Sequence, residues 1–174
     1  MKKIIYLLFI SLLLFNEFSL ASEKKIVFID INSIFINSNV GKDLNSFLKQ
    51  KKKDIDDQVN ISVNEINNKK NILTAQKNVL DSNEYSKKIK ELENEIKKIN
   101  SSISKKNDEL NKLQKSIESK FSQNLNSIIE EYSIENSIDI IFKKQDILMA
   151  KNEMDITKDI LNLFNKKINK IDID

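Results

Sequence analysis

No proline occurs anywhere in the chain and its single glycine is Gly41, so everything after that position lacks the two residues that most readily end a helix. A stretch of this kind cannot fold as a ball of short elements, because tight turns draw on glycine and proline. Apolar residues make up 40% and charged residues 32%, a mixture that suits long helices burying a narrow stripe and exposing the rest. The reading is α+β and mostly α: a long antiparallel helical hairpin, a coiled-coil arm, on a small β-containing oligomerisation body.

Composition also removes most chemistry. There is no cysteine, histidine or tryptophan. Zinc, haem, iron–sulfur and thiol sites therefore lose their usual ligands, and no Ser-His or Cys-His pair can be assembled. One glycine cannot build a phosphate-binding loop, which needs several positions free of Cβ. The chain reads as a non-enzyme without cofactor or metal. All 29 basic residues are lysine, and isoleucine, asparagine and serine are abundant, which looks like biased nucleotide composition and carries no function by itself.

Met1-Lys2-Lys3 precedes an apolar run from Ile4 to Phe15, broken only by Ser11, with small residues at Ser19 and Ala21. That pattern predicts a secretory signal over residues 1–21, cut between Ala21 and Ser22. A membrane anchor needs about 20 apolar residues, and Asn16-Glu17 interrupt too early. The mature chain is expected in the periplasm, with no integral membrane segment, no lipid anchor and no disulfide.

Three pieces follow. Ile26-Val27-Phe28-Ile29 is apolar without alternation, the mark of a strand buried on both faces. Ile31, Ile34 and Phe35 come next at helical spacing, and Asn37 to Lys42 punctuate the chain. Residues 41–136 form the arm. Its first half carries one stripe, Leu44, Leu48, Ile55, Val59, Ile66, Leu73 and Leu80. Asp81-Ser82-Asn83-Glu84, with capping-box spacing, marks a tip near 81–84. Ile89, Ile96, Ile103, Leu110 and Ile117 then recur every seven residues, with Leu92, Ile99 and Leu113 in the complementary position and Lys106 interrupting. Phe121, Leu125, Ile128, Ile129 and Tyr132 shift the phase and broaden the face, so this end should enter a thicker core.

In the third piece Ile138, Ile140 and Phe142, then Ile147 to Ala150, predict two short strands around a polar loop, a β-hairpin. Asp155-Ile156-Thr157 starts a helix lined by Ile156, Ile160, Leu161, Phe164 and Ile168. Residues 22–40 and 137–174 together hold 57 residues, and a core below roughly 70 residues without a disulfide is marginal. Strand edges also invite pairing. The body is therefore expected to close against copies of itself through Ile26, Val27, Phe28, Ile29, Phe35, Ile138, Ile140, Phe142 and Leu148, in a number these patterns leave open.

The run Lys25-Ile26-Val27-Phe28-Ile29-Asp30, the Phe35 segment, Ser38 to Gly41-Lys42, the lysine-rich hairpin, Ile138-Asp139-Ile140-Ile141-Phe142 and Asp155-Ile156-Thr157-Lys158-Asp159-Ile160-Leu161 occur in that order behind a signal peptide. In this the chain resembles the Skp (OmpH-like) family of periplasmic chaperones over essentially all of its mature length. The resemblance implies a jellyfish-shaped homotrimer, with strands from three chains in a small barrel-like body and three helical arms around a cavity. Such proteins hold unfolded outer-membrane β-barrel proteins against aggregation without ATP. Lipopolysaccharide binding, ascribed to some members, rests partly on arginines that this chain lacks and is not carried over.

Charge is uneven. Residues 69–120 carry 13 lysines against 8 acids and residues 121–174 carry 7 against 10, while residues 22–68 balance. A positive arm steers acidic chains toward itself, an effect that fades with salt. Lys87, Lys88, Lys90, Lys97, Lys98, Lys105 and Lys106 are the candidates for client capture. Ile61, Val63, Ile72 and Val79 fall off the main stripe and are read first as a second row of hairpin packing, then as client contacts. The alternatives are a structural or adaptor coiled coil of the periplasm and a polyanion binder, the latter disfavoured for nucleic acid by export.

Overall fold

The computed structural model describes residues 24–173, so the expected leader and its cleavage point at Ala21 and Ser22 lie outside the described residues. Strand β1 (Ile26–Ile29) buries Val27, Phe28 and Ile29, as an unalternating apolar run requires. Asp30 ends the strand and begins helix α1 (Ile31–Asn37), its Oδ1 accepting from the Ser33 N–H at 2.8 Å.

Ser38 serves two helices. Its N–H donates to the Ile34 carbonyl at 2.9 Å, closing α1, and its Oγ accepts from the Gly41 N–H at 3.1 Å, opening helix α2 (Asn39–Ala75). The arm boundary expected at Gly41 therefore falls two residues earlier, and Gly41 lies inside the first turn of α2. Only glycine fits there, since a Cβ would stand 1.8 Å from the Phe35 carbonyl oxygen. The two helices meet backbone to backbone.

Helices α2, of 37 residues, and α3 (Ser82–Glu135), of 54, form the hairpin. At 1.5 Å per residue they span about 55 and 81 Å. The Asp81 carboxylate caps α3, accepting from the Asn83 and Glu84 N–H groups at 2.9 Å each. Every stripe residue from Leu44 to Leu80 is at least half-buried, as are the heptad residues of α3. Along α3 full burial comes only near the body, at Ile117, Phe121, Leu125 and Ile128, because two helices alone cover one side of each other; on the tip half of α2 Leu73 alone is buried.

At the end of α3, Ser137 takes a φ of 51°, and the Ile138 N–H donates back to the Ser133 carbonyl at 2.9 Å. The chain then enters β2 (Ile140–Lys143), parallel to β1 in the register Ile26–Ile140, Val27–Ile141, Phe28–Phe142 and Ile29–Lys143. Parallel pairing needs a long crossover, and here the whole arm is that crossover.

The expected β-hairpin does not form within the chain. Lys144–Asp146 is a 3₁₀ turn whose Lys144 ammonium lies 3.7 Å from Asp30 and 3.8 Å from Asp155, drawing the chain across the body and away from β2. No glycine or asparagine is present at Lys144-Gln145 to adopt the positive φ of a two-residue hairpin turn. Residues 147–150 therefore carry no ladder of their own.

After a second 3₁₀ turn (Asn152–Met154), helix α4 (Thr157–Lys167) packs Ile160 and Phe164 into the core. The Ile156 N–H donates to the Phe28 carbonyl at 3.0 Å and the Asp30 N–H to Thr157 Oγ1 at 2.9 Å, which holds α4 against β1. Tyr132 on α3 donates to Asp159 on α4 at 3.2 Å; burial first, then the neighbouring carboxylate charge, raises its phenol pKa.

Two substitutions test these junctions. Gly41→Ala should lower stability by about 1–3 kcal/mol or more, because the clash is with backbone that cannot move alone. Ser137→Gly should raise it by about 0.5–1 kcal/mol through relief of the positive φ. Urea midpoints at unchanged slope would measure both.

Candidate functional site

The chain's own packing leaves two surfaces unexplained, the outer faces of the arm and one face of the sheet. At about 100° per residue, Lys87, Lys98 and Lys105 project opposite the seam of α3, with Lys90 and Lys97 beside them. All five are exposed. Lys88 flanks the seam and Lys106 occupies it, and both are half-buried. Lys106 donates across the hairpin to Gln58, so it is withdrawn from the outer basic band as a packing partner of α2. Lys69 on α2 pairs with Glu95 on α3 in the same register.

Ile61, Ile72 and Val79 do not form a second row of hairpin packing: they are 59%, 59% and 82% exposed. Ile61 and Ile72, 11 residues apart, return to nearly one angle on α2, while Val79 lies beyond its end in the turn at the arm tip. Phe47, 14 residues before Ile61, extends the line and is also exposed, with the Lys51 ammonium 5.5 Å from its ring centre. Phe47, Ile61 and Ile72 make a discontinuous apolar row about 38 Å long, roughly a third of a turn round from the seam, and Val79 exposes a further apolar side chain at the tip turn. Val63, also exposed, stands on the other flank. Phe47 went unnoticed in the sequence because it adjoins the stripe residues Leu44 and Leu48; its spacing to Ile61 was the available signal.

In the body the nine expected residues divide. Val27, Phe28 and Ile29 are buried in the chain's own core, while Phe35 and Ile138 are half-buried against it. Ile26, Ile140 and Phe142 remain exposed, sharing one sheet face by their register. Leu148 is 103% exposed, and its neighbour Met149, which the sequence did not single out, is 89% exposed. The sheet has two strands among the described residues, so the far edge of β2 is open.

A cleft of about 770 Å³ lies where the arm meets the body, floored by Ile31, Phe35, Leu48, Ile117 and Phe121. Asp30, Glu118, Lys143 and Lys144 on its rim balance in charge, and Lys144 is already committed to Asp30 and Asp155. Among the described residues no acidic cluster is placed to hold a metal ion, and no helix is long and apolar enough to cross a membrane.

Comparison with known proteins agrees with this geometry. A family model described as outer membrane protein (OmpH-like) matches residues 25–164. A crystal structure from Caulobacter crescentus, of an OmpH-like protein described as an outer membrane chaperone, is similar with a TM-score of 0.79. It covers 88% of this chain and 90% of its own at 16% identity, a likeness of fold. No curated protein matches the sequence. With β1, the entire arm, β2 and most of α4 inside the matched stretch, the chain belongs to the OmpH-like family.

Proposed function

We propose that this protein is an ATP-independent periplasmic holdase that keeps unfolded outer-membrane β-barrel proteins from aggregating in a cavity between helical arms. The observation that carries the reading is the row Phe47, Ile61 and Ile72 on α2 with Val79 at the tip turn, single exposed apolar side chains set at wide intervals along a charged arm. A non-native chain offers apolar groups at irregular intervals, and holding it reversibly takes many weak contacts and no pocket. Partial burial of each such side chain contributes about 1 kcal/mol, so several together hold a client while any one lets go. An adaptor coiled coil would instead need a continuous stripe for a defined partner, and this row has gaps. Membership of the OmpH-like family supports the chaperone reading.

The basic band Lys87, Lys90, Lys97, Lys98 and Lys105 supplies long-range attraction. Its role is encounter, and the apolar row's role is retention. Neither needs a catalytic group.

The functional unit in this reading is a homotrimer. Ile26, Ile140, Phe142, Leu148 and Met149 form an apolar surface beside an open strand edge, which a compact soluble body of this size does not leave uncovered. Pairing of the exposed Leu148-Met149 segment with a neighbouring copy would give it the ladder that its own chain does not provide.

Three outcomes follow. The chain from Ser22 onward should run in native mass measurement as three copies. Leu148→Asp with Phe142→Lys should yield single chains at micromolar concentration with helical circular dichroism intact, since neither side chain is in the chain's own core. In a scattering assay with a β-barrel protein diluted from urea, glutamine at the five band lysines should slow capture on the order of tenfold at low salt and little at high salt. Serine at Ile61, Ile72 and Val79 should weaken retention at both. Unchanged aggregation at a few-fold excess of wild-type protein would remove the holdase reading.

A further inference from the structure

We propose that residues 168–173 form a strap that latches the root of α2 to α3 and thereby limits how far the hairpin opens. The segment lies beyond the stretch that the family model matches, residues 25–164. Ile168 leaves α4 in extended conformation, its N–H donating to the Phe164 carbonyl at 2.8 Å. After a bend at Asn169 the chain alternates from Lys170 onward: Ile171 is buried and Ile173 half-buried, whereas Lys170 and Asp172 face water and pair with each other at 2.6 Å. Such alternation is what an extended segment lying on an apolar surface shows.

The strap touches both arm helices. Ile171 belongs to the core cluster that holds Val40 and Leu44 of α2, and it borders a groove with Phe47 one turn further on. From α3, the Lys120 ammonium donates to the Asp172 carbonyl at 2.7 Å. The need for a latch follows from how α2 is joined to the body. Its connection to α1 is the one residue Ser38, with a ψ of 152° between two helical segments, a natural pivot. The Asn39 N–H bond to Asn165 Oδ1, 2.9 Å, restrains that pivot from one side, and the strap restrains it from the next turns.

The consequence for cavity width rests on the holdase reading, but the latch itself can be tested without any client. Hydrogen exchange should be followed in the chain from Ser22 onward, comparing wild type with Ile171→Ser and Ile171→Val. Amides of residues 42–48 should exchange on the order of tenfold faster in Ile171→Ser and at the wild-type rate in Ile171→Val, with residues 26–29 unchanged in both. Because the chain has no cysteine, spin labels at Ser46→Cys and Lys115→Cys report the same opening as a broadened distance distribution across the arm root. Should Ile171→Ser fail to fold, the milder Ile173→Ser should accelerate the same amides by a smaller factor. Unchanged exchange at 42–48, or equal acceleration in β1, would overturn the latch, the second result making Ile171 an ordinary part of the body core.

Discussion

Three phenyl rings hold the molecule at its one thick point. Phe121 of α3 meets Phe35 of α1 edge-on, with ring centres 4.9 Å apart, and meets Phe164 of α4 at 4.8 Å. Each such contact contributes about 0.5–1.5 kcal/mol beyond the area it buries. The value of the cluster lies in its place. A two-helix arm roughly 80 Å long covers each helix on one side only, so its seam cannot by itself set the direction in which it projects. That direction is decided where α3 crosses the body and becomes buried on several sides at once.

Helix α3 carries the consequence outward. Its heptad residues from Ile89 to Leu113 pack against α2, and from Ile117 onward the shifted phase packs against α1, β1 and α4. One continuous helix thus belongs to both parts, and no flexible linker separates them. Whatever sets the orientation of the body strands also sets that of the arm, and the exposed row and basic band ride on a lever with a fixed root. Far from that anchor the exposed apolar side chains stand singly, as the proposed holding and release of a non-native chain requires.

The helices, their seam and the tip cap were legible in the residues. Leu44 to Leu80 and Ile89 to Ile117 declare one face by period alone, and Asp81 declares a helix start through its short acceptor side chain. The apolar run of β1 declared burial on both faces, and Val27, Phe28 and Ile29 are buried while Ile26 is exposed. The lysines were only half legible. A helical wheel already separates Lys88 and Lys106 from the other five, but that Lys106 turns to Gln58 depends on the register of α2 against α3. The off-stripe isoleucines were misjudged for the same reason: a second packing row requires a third helix to receive it, and the arm has two.

Local order in the chain therefore determined which stretches are helical, where each begins and which side it buries, because periodicity and capping act within a few residues. Tertiary structure decided the rest. It paired β1 with β2 in parallel through the arm, left Leu148 and Met149 without a strand partner, brought α2 so close to α1 that Gly41 has room for no side chain, and laid Ile171 over the arm root. Each of these outcomes joins groups distant in sequence, where geometry and competition among partners set the result and spacing along the chain carries no record of it.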